Sequence, residues 1–133
     1  MKLTVRSEYA LLALVYLARR ERLGYVSAKT IAQAQKIPHK YLEQTLLMLK
    51  RSRHLNSRKG KNGGYKLARP ATDIALAEIV RLLDGAIAPI LSASRYFYES
   101  TPLEKEKPLI RVFKEIRDYA SKKLEGTSLA DVA

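Results

Sequence analysis

Lys40, Glu43, Gln44 and Arg51 carry long hydrogen-bonding side chains, and helical spacing puts Lys40, Gln44, Leu47 and Arg51 on one side of the segment 39–52, with Glu43 just beside them. Leu42, Leu46 and Leu49 fall together on the opposite side. One face is a core stripe and the other a row of donors and acceptors. Lysine suits the acceptors of guanine, glutamine suits adenine, and a carboxylate accepts from the cytosine amino group. The chemistry on offer is recognition of base edges.

A second concentration of functional groups follows at residues 58 to 67, RKGKNGGYKL, with four cations and three glycines in ten positions. Arg58, Lys59, Lys61 and Lys66 belong to it. Glycines that accept positive φ values permit a tight connection between two short strands, read here as Leu55 to Arg58 and Tyr65 to Arg69. Arg6, Lys29, Lys50, Arg51, Arg58, Lys61 and Lys66 suit phosphate neutralisation, which sets affinity and register without reading sequence. Arg58 or Lys59 at the hairpin tip is placed to enter a narrow minor groove. A nucleotide-cradling loop is excluded, because neither G-x-x-x-x-G-K-[ST] nor G-x-G-x-x-G occurs.

Charge placement points the same way. The chain has 133 residues and a net charge of +12; residues 1 to 74 hold 16 Lys and Arg against 4 Asp and Glu, and residues 75 to 133 hold 9 against 9. The whole excess lies in the first half, a field suited to nucleic acid or an anionic membrane surface. Cysteine is absent, which removes disulfides, thiolate nucleophiles and cysteine-held zinc or iron–sulfur clusters. Only His39 and His54 offer imidazoles, without metal-ligand spacing or a nucleophile–base pair, so no enzyme and no cofactor are expected. His39 is expected near DNA phosphate and His54 near a helix C-terminus. The apolar run Ala10 to Ala18 is too short to span a bilayer and, bounded by Glu8 and Arg19, reads as the first helix of a cytoplasmic protein.

The elements that must carry these groups follow from periodicity. Val5 to about Arg20 forms a first helix, with Leu11, Leu14, Leu17 and Ala18 at helical spacing, closed by Gly24 and Tyr25. Ser27 caps a short helix Ala28 to Gln35 and is counted with the DNA-facing residues. Lys36 and Ile37 turn the chain, Pro38 opens the third helix, and a fourth runs from about Leu76 to Asp84, stopped by Gly85. Helix, helix, helix and hairpin in this order describe a winged helix-turn-helix. The expected fold is mainly α with a small β-hairpin: residues 1–85 form a winged helix-turn-helix DNA-binding domain, and 86–133 a linker, a long dimerisation helix and a C-terminal segment.

From Leu103 to about Leu124 helical spacing returns, with Leu109, Val112, Phe113, Ile116, Tyr119, Ala120 and Leu124 on one side. The helix either folds back on its own head or forms a homodimer seam, and symmetric dimers being the commonest oligomers favours the seam. The preceding stretch carries Tyr96, Phe97 and Tyr98, which either pack as core or meet a small-molecule or protein effector.

The opening MKLTVRSEYALLALVYLA, then VSAKTIAQAQKIPHKYLEQTLLMLKRS, GKNGGYKLARP and the late TSLADV resemble the Rrf2 (Rrf-two) family of bacterial transcription regulators, which includes IscR-like, BadM-like and CymR-like repressors. KYLEQ and GGYKLARP are the most diagnostic pieces. The resemblance implies a homodimer of winged heads on a palindromic operator, with Lys40, Tyr41, Glu43 and Gln44 on the reading helix. It aligns Lys59 with a wing residue that is typically arginine in IscR-like members; lysine keeps the charge but loses the planar fork. Many members hold an iron–sulfur cluster on three cysteines between the fourth helix and the dimer helix. Here that segment, about Pro89 to Pro108, has Ser92 and Ser94 but no cysteine, which marks a cluster-free branch. The expectation is therefore a sequence-specific repressor of double-stranded DNA, nucleoid-associated and without membrane contact. Two alternatives stand beside it: a non-specific RNA or nucleoid binder, and a scaffold acting through the dimer helix alone.

Overall fold

A computed structural model describes residues 1–133. Helix α1 spans Val5–Arg19. Its cap, Thr4, accepts from the Ser7 N–H at 3.2 Å and donates its hydroxyl to Asp84 at 2.8 Å, tying the start of α1 to the end of α4 (Leu76–Asp84). Helix α2, Ala28–Gln35, is capped by Ser27, whose hydroxyl accepts from the Thr30 N–H, and ends at Lys36 with φ +54°. Pro38 then opens α3, His39–Arg51.

Strands β1, Leu55–Arg58, and β2, Gly64–Leu67, pair antiparallel with Leu55 opposite Leu67 and Arg58 opposite Gly64. The second strand thus begins one residue before the sequence reading and stops at Leu67, two residues short of Arg69. Val26 adds an isolated bridge to β2: its N–H donates to the Tyr65 carbonyl, and its carbonyl accepts from the Tyr65 N–H, each at 2.8 Å. That bridge docks the hairpin on the segment entering α2.

The long helix α5 covers Lys107–Glu125, not Leu103 onward, because Pro102–Lys105 form a separate 3-10 turn and Pro108 sits in the first helical turn. A short helix α6, Leu129–Val132, follows; Ser128 and Asp131 cap it reciprocally. Leu129 returns to the head, fully buried beside Leu14, Leu17, Ile31, Leu42, Leu46, Leu49 and Ile79, and its N–H donates to the Ile74 carbonyl at 2.9 Å. The C-terminal segment therefore completes the core of residues 1–85. Each such fully buried aliphatic side chain contributes about 1.5–3 kcal/mol. Helix α5 leans on α4 through Ala120 and Leu124 against Ala77, Val80 and Ile87.

Candidate nucleic-acid interface

Helix α3 divides as its sequence period implies. Leu42, Leu46 and Leu49 are fully buried, whereas Lys40, Glu43, Gln44, Leu47 and Arg51 are exposed. Thr45 turns inward and donates to the Tyr41 carbonyl at 2.9 Å. His39 pairs with Glu43 at 3.0 Å one turn on, so its first partner is a carboxylate on its own helix. Tyr41 stacks on Tyr9 at 6.4 Å, beside an open groove of about 570 Å³ that Gln44, Met48 and Arg6 also line. Tyr41 therefore borders α1, while Lys40 and Gln44 look outward. Arg6 donates to the Leu83 carbonyl at 3.2 Å, which places it at the C-terminal end of α4.

The wing is cationic throughout. Gly63 N–H donates to the Gly60 carbonyl at 3.0 Å, and Arg58 reaches across the turn to the Asn62 carbonyl at 2.8 Å. Arg58 also lies over the Tyr25 ring, 4.5 Å from its centre. It braces the hairpin and stays exposed, as do Lys59 and Lys61 at the tip. All ion pairs of the molecule lie elsewhere, so no carboxylate neutralises Arg58, Lys59, Lys61 or Lys66. Lys29, Lys50 and Arg51 are likewise exposed and outside those pairs.

At the base of the wing a polar chain fixes its stems. His54 is buried just beyond the C-terminal end of α3, its N–H donating to the Leu49 carbonyl at 2.9 Å. Its ring meets Ser52 Oγ at 2.8 Å and Glu78 Oε1 at 3.2 Å, and Arg69 donates to both oxygens of Glu78 at 2.8 and 3.0 Å. Burial pushes the Glu78 carboxyl up, but hydrogen bonds from Arg69, His54 and the Ala75 backbone outweigh it and hold the group below the ordinary glutamate value. His54 precedes β1 and Arg69 follows β2, so Glu78 on α4 clamps both ends of the hairpin. The sequence places His54 correctly but gives no sign of these partners.

On α5 the expected single face separates into two adjacent stripes. Ala120 packs against α4, with Ile110 buried and Phe113 half-buried. Leu109, Val112, Ile116 and Tyr119 remain 43, 50, 48 and 75% exposed. Tyr96, Phe97 and Tyr98 are exposed as well, with Arg81 4.9 Å over the Tyr96 ring and Tyr98 hydrogen-bonded to Glu104. They do not form core within the chain. Ser92 and Ser94 are buried and satisfied internally, by Thr101 and by the Phe97 N–H.

A three-helix head with α3 presented outward, a docked β-hairpin and a basic, acid-free wing defines a winged helix-turn-helix protein. Residues 3–133 match the family model for Rrf2, described as an iron-dependent transcriptional regulator. The chain belongs to the Rrf2 family of transcriptional regulators, and its class is DNA-binding regulator, not enzyme. It is 32% identical over 134 residues to the HTH-type transcriptional regulator CymR of Bacillus subtilis, a match spanning 100% of this chain and 90% of that protein. The solved structure of CymR, the global cysteine regulator of B. subtilis, superposes with a TM-score of 0.79 at 30% identity, covering 100% of this chain and 96% of that one. The T. potens IscR structure gives 0.76 at 27% identity, covering 99% and 85%. No helix is long and apolar enough to cross a membrane.

Iron dependence in the family raises the question of a metal or cluster. The donor set does not fit one: the chain has no cysteine, and no three His, Cys, Asp or Glu side chains gather into a group that could hold a metal ion. Hydroxyls of Ser92 and Ser94, already paired, are poor ligands for such a cluster.

Proposed function

We propose that this regulator is a cytoplasmic, sequence-specific repressor that binds a two-fold symmetric operator as a homodimer and works without an iron–sulfur cluster. Helix α3 enters the major groove, with Lys40, Glu43 and Gln44 at base edges; the wing reaches the minor groove through Lys59. The observation that carries the reading is the pairing of two surfaces that the fold leaves without intramolecular partners. One is the acid-free wing beside the exposed face of α3. The other is the bare apolar stripe Leu109, Val112, Ile116 and Tyr119, which a second copy of α5 would cover. Two heads held by such a seam require two half-sites.

Selection of the purified protein against random duplex DNA at near-physiological salt, followed by sequencing of the bound fraction, tests the reading. Recovery of a two-fold symmetric motif is the expected result. Recovery without sequence preference, combined with a steep salt dependence, would overturn it in favour of backbone-only binding. Placement of the recovered motif over promoter elements distinguishes repression from activation.

A further inference from the structure

We infer that Tyr25 is a positioning residue for phosphodiester binding: its ring gathers Arg58 and Lys66 into a cationic notch, completed by Lys61 and the Ser27 hydroxyl, that grips one backbone phosphate of duplex DNA. This rests on the DNA-binding reading above and extends it to a residue that makes no base contact.

The notch, about 540 Å³, lies between the wing and the segment leading into α2. The Arg58 guanidinium carbon stands 4.5 Å and the Lys66 ammonium 4.8 Å from the centre of the half-buried Tyr25 ring. Both distances fall inside the range of about 6 Å at which an aromatic face attracts a cation. Lys61 shares the same walls, and the remaining lining groups, Leu23, Gly24, Asn62 and Gly63, carry no charge. Three like charges in one notch repel one another. With no carboxylate paired to them, only an outside anion or escape of the side chains into water relieves that repulsion. The ring opposes escape by holding two of the three in place. Ser27 accepts from the Thr30 N–H at 3.1 Å, and when the Thr30 hydroxyl also donates to it, at 2.8 Å, the proton of Ser27 is free for an oxygen in the notch.

The anion best matched to this set is a singly charged phosphodiester with several accepting oxygens. A lone two-stranded hairpin is marginally stable, so its attachments set its orientation. Glu78 clamps its stems, the Val26–Tyr65 bridge ties β2 to the segment entering α2, and the Tyr25 ring, one residue before that bridge, adds an attachment nearer the tip. Pre-placing the cations lowers the ordering cost of seizing the backbone.

The test uses the full chain and a fluorescein-labelled 30-base-pair duplex of mixed sequence, because phosphate contacts carry no sequence information. Fluorescence anisotropy at several salt concentrations gives the slope of log Kd against log salt, about 0.9 per neutralised phosphate. Tyr25→Phe, which keeps the ring face, should keep the wild-type slope. Tyr25→Leu should bind about tenfold more weakly and with a slope shallower by about 1. Arg58→Gln combined with Lys61→Gln and Lys66→Gln, in a chain that retains Tyr25, should also cost about 1 and not 3, because the three cations serve one phosphate. This triple variant keeps the inference testable if circular dichroism shows that Tyr25→Leu has lost its fold. An unchanged slope in folded Tyr25→Leu, a loss in Tyr25→Phe equal to that in Tyr25→Leu, or a slope change of about 0 or about 3 in the triple variant overturns the inference alone. Failure of the wild-type chain to bind any duplex at low salt overturns it together with the DNA-binding reading.

Discussion

Gly64→Ala should undock the wing, and the size of the effect can be worked from the geometry. Gly64 has φ +140°, a conformation that side-chain-bearing residues rarely adopt, and a Cβ built there would stand 2.2 Å from the Val26 carbonyl oxygen and 2.7 Å from the Ser27 nitrogen. Relieving that contact to an ordinary separation of about 3.4 Å opens the gap between β2 and Val26 by about 1 Å. The two Val26–Tyr65 hydrogen bonds, each 2.8 Å, then stretch beyond useful length. Their loss costs about 0.5–1.5 kcal/mol apiece, and the backbone strain adds about 1–3 kcal/mol. Together this is about 2–6 kcal/mol, a large share of the roughly 5–15 kcal/mol that stabilises a typical domain.

Urea unfolding followed by circular dichroism measures the effect. With a slope of about 2 kcal/mol per M, the midpoint should drop by roughly 1–3 M. Gly60→Ala is the internal control. Its φ of +100° is also unfavourable, but a Cβ there meets nothing within 4 Å, so strain alone applies, about 1 kcal/mol. A Gly64→Ala midpoint equal to that of Gly60→Ala would refute the claim that close approach to Val26, and not merely backbone conformation, demands glycine at this position.

Arg53 is exposed and held at φ +65°, so Arg53→Gly should raise stability by about 0.5–1 kcal/mol in the same assay, left-handed strain being relieved at some entropic cost. Ile116→Asp should convert the proposed homodimer to monomer in sedimentation velocity, because each copy would set a carboxylate against the apolar stripe of the other; a variant profile still showing dimer would reject the α5 seam. Gln44→Ala should relax selectivity at one base pair per half-site by about 1–3 kcal/mol, read by repeating the duplex selection. On acidification, the folded-state values of Glu78 and Asp84 lie below their ordinary ones: hydrogen bonds of Arg69 and His54 to Glu78, and of Ser7 and Thr4 to Asp84, outweigh the opposing pull of burial. The stability these groups confer is thus complete above about pH 4.5 and lost as pH falls through the lowered values, so Glu78→Gln should flatten the acid limb of melting temperature against pH.

What the sequence revealed, and what it hid, divides along a physical line. The two faces of α3 and the hairpin are local: a period of 3.6 marks Leu42, Leu46 and Leu49, and the glycines of GKNGG mark a tight connection that few other residues accept. The Ser52–His54–Glu78–Arg69 chain joins residues from three separate parts of the chain, and no spacing rule connects them. Arg58 and Lys59 read alike as groove-entering cations, because charge is visible in sequence while the contact of Arg58 with the Tyr25 ring is not. Tyr25 itself read only as the end of a helical segment, since a single aromatic residue has no period. Leu129 was hidden for the same reason, being one apolar residue in a four-residue helix.

Helix α5 shows how a correct pattern can still be assigned too simply. Leu109, Val112, Phe113, Ile116, Tyr119 and Ala120 do lie on one broad side, but with Leu124 and the buried Ile110 the apolar side spans about 180° of the helix, wider than one neighbour can cover. Ala120 meets Ala77, Val80 and Ile87 of the same chain, while Leu109, Val112, Ile116 and Tyr119 keep much of their surface exposed. A surface helix needs about one third of its circumference to dock on its own core. Apolar residues extending beyond that width cost solubility unless something else covers them. The excess width of the stripe, more than its hydrophobicity, is therefore the feature that calls for a second partner; Phe113 and Ala120 lie on the side nearer the head, and Ile116 and Tyr119 on the side left for the proposed partner copy.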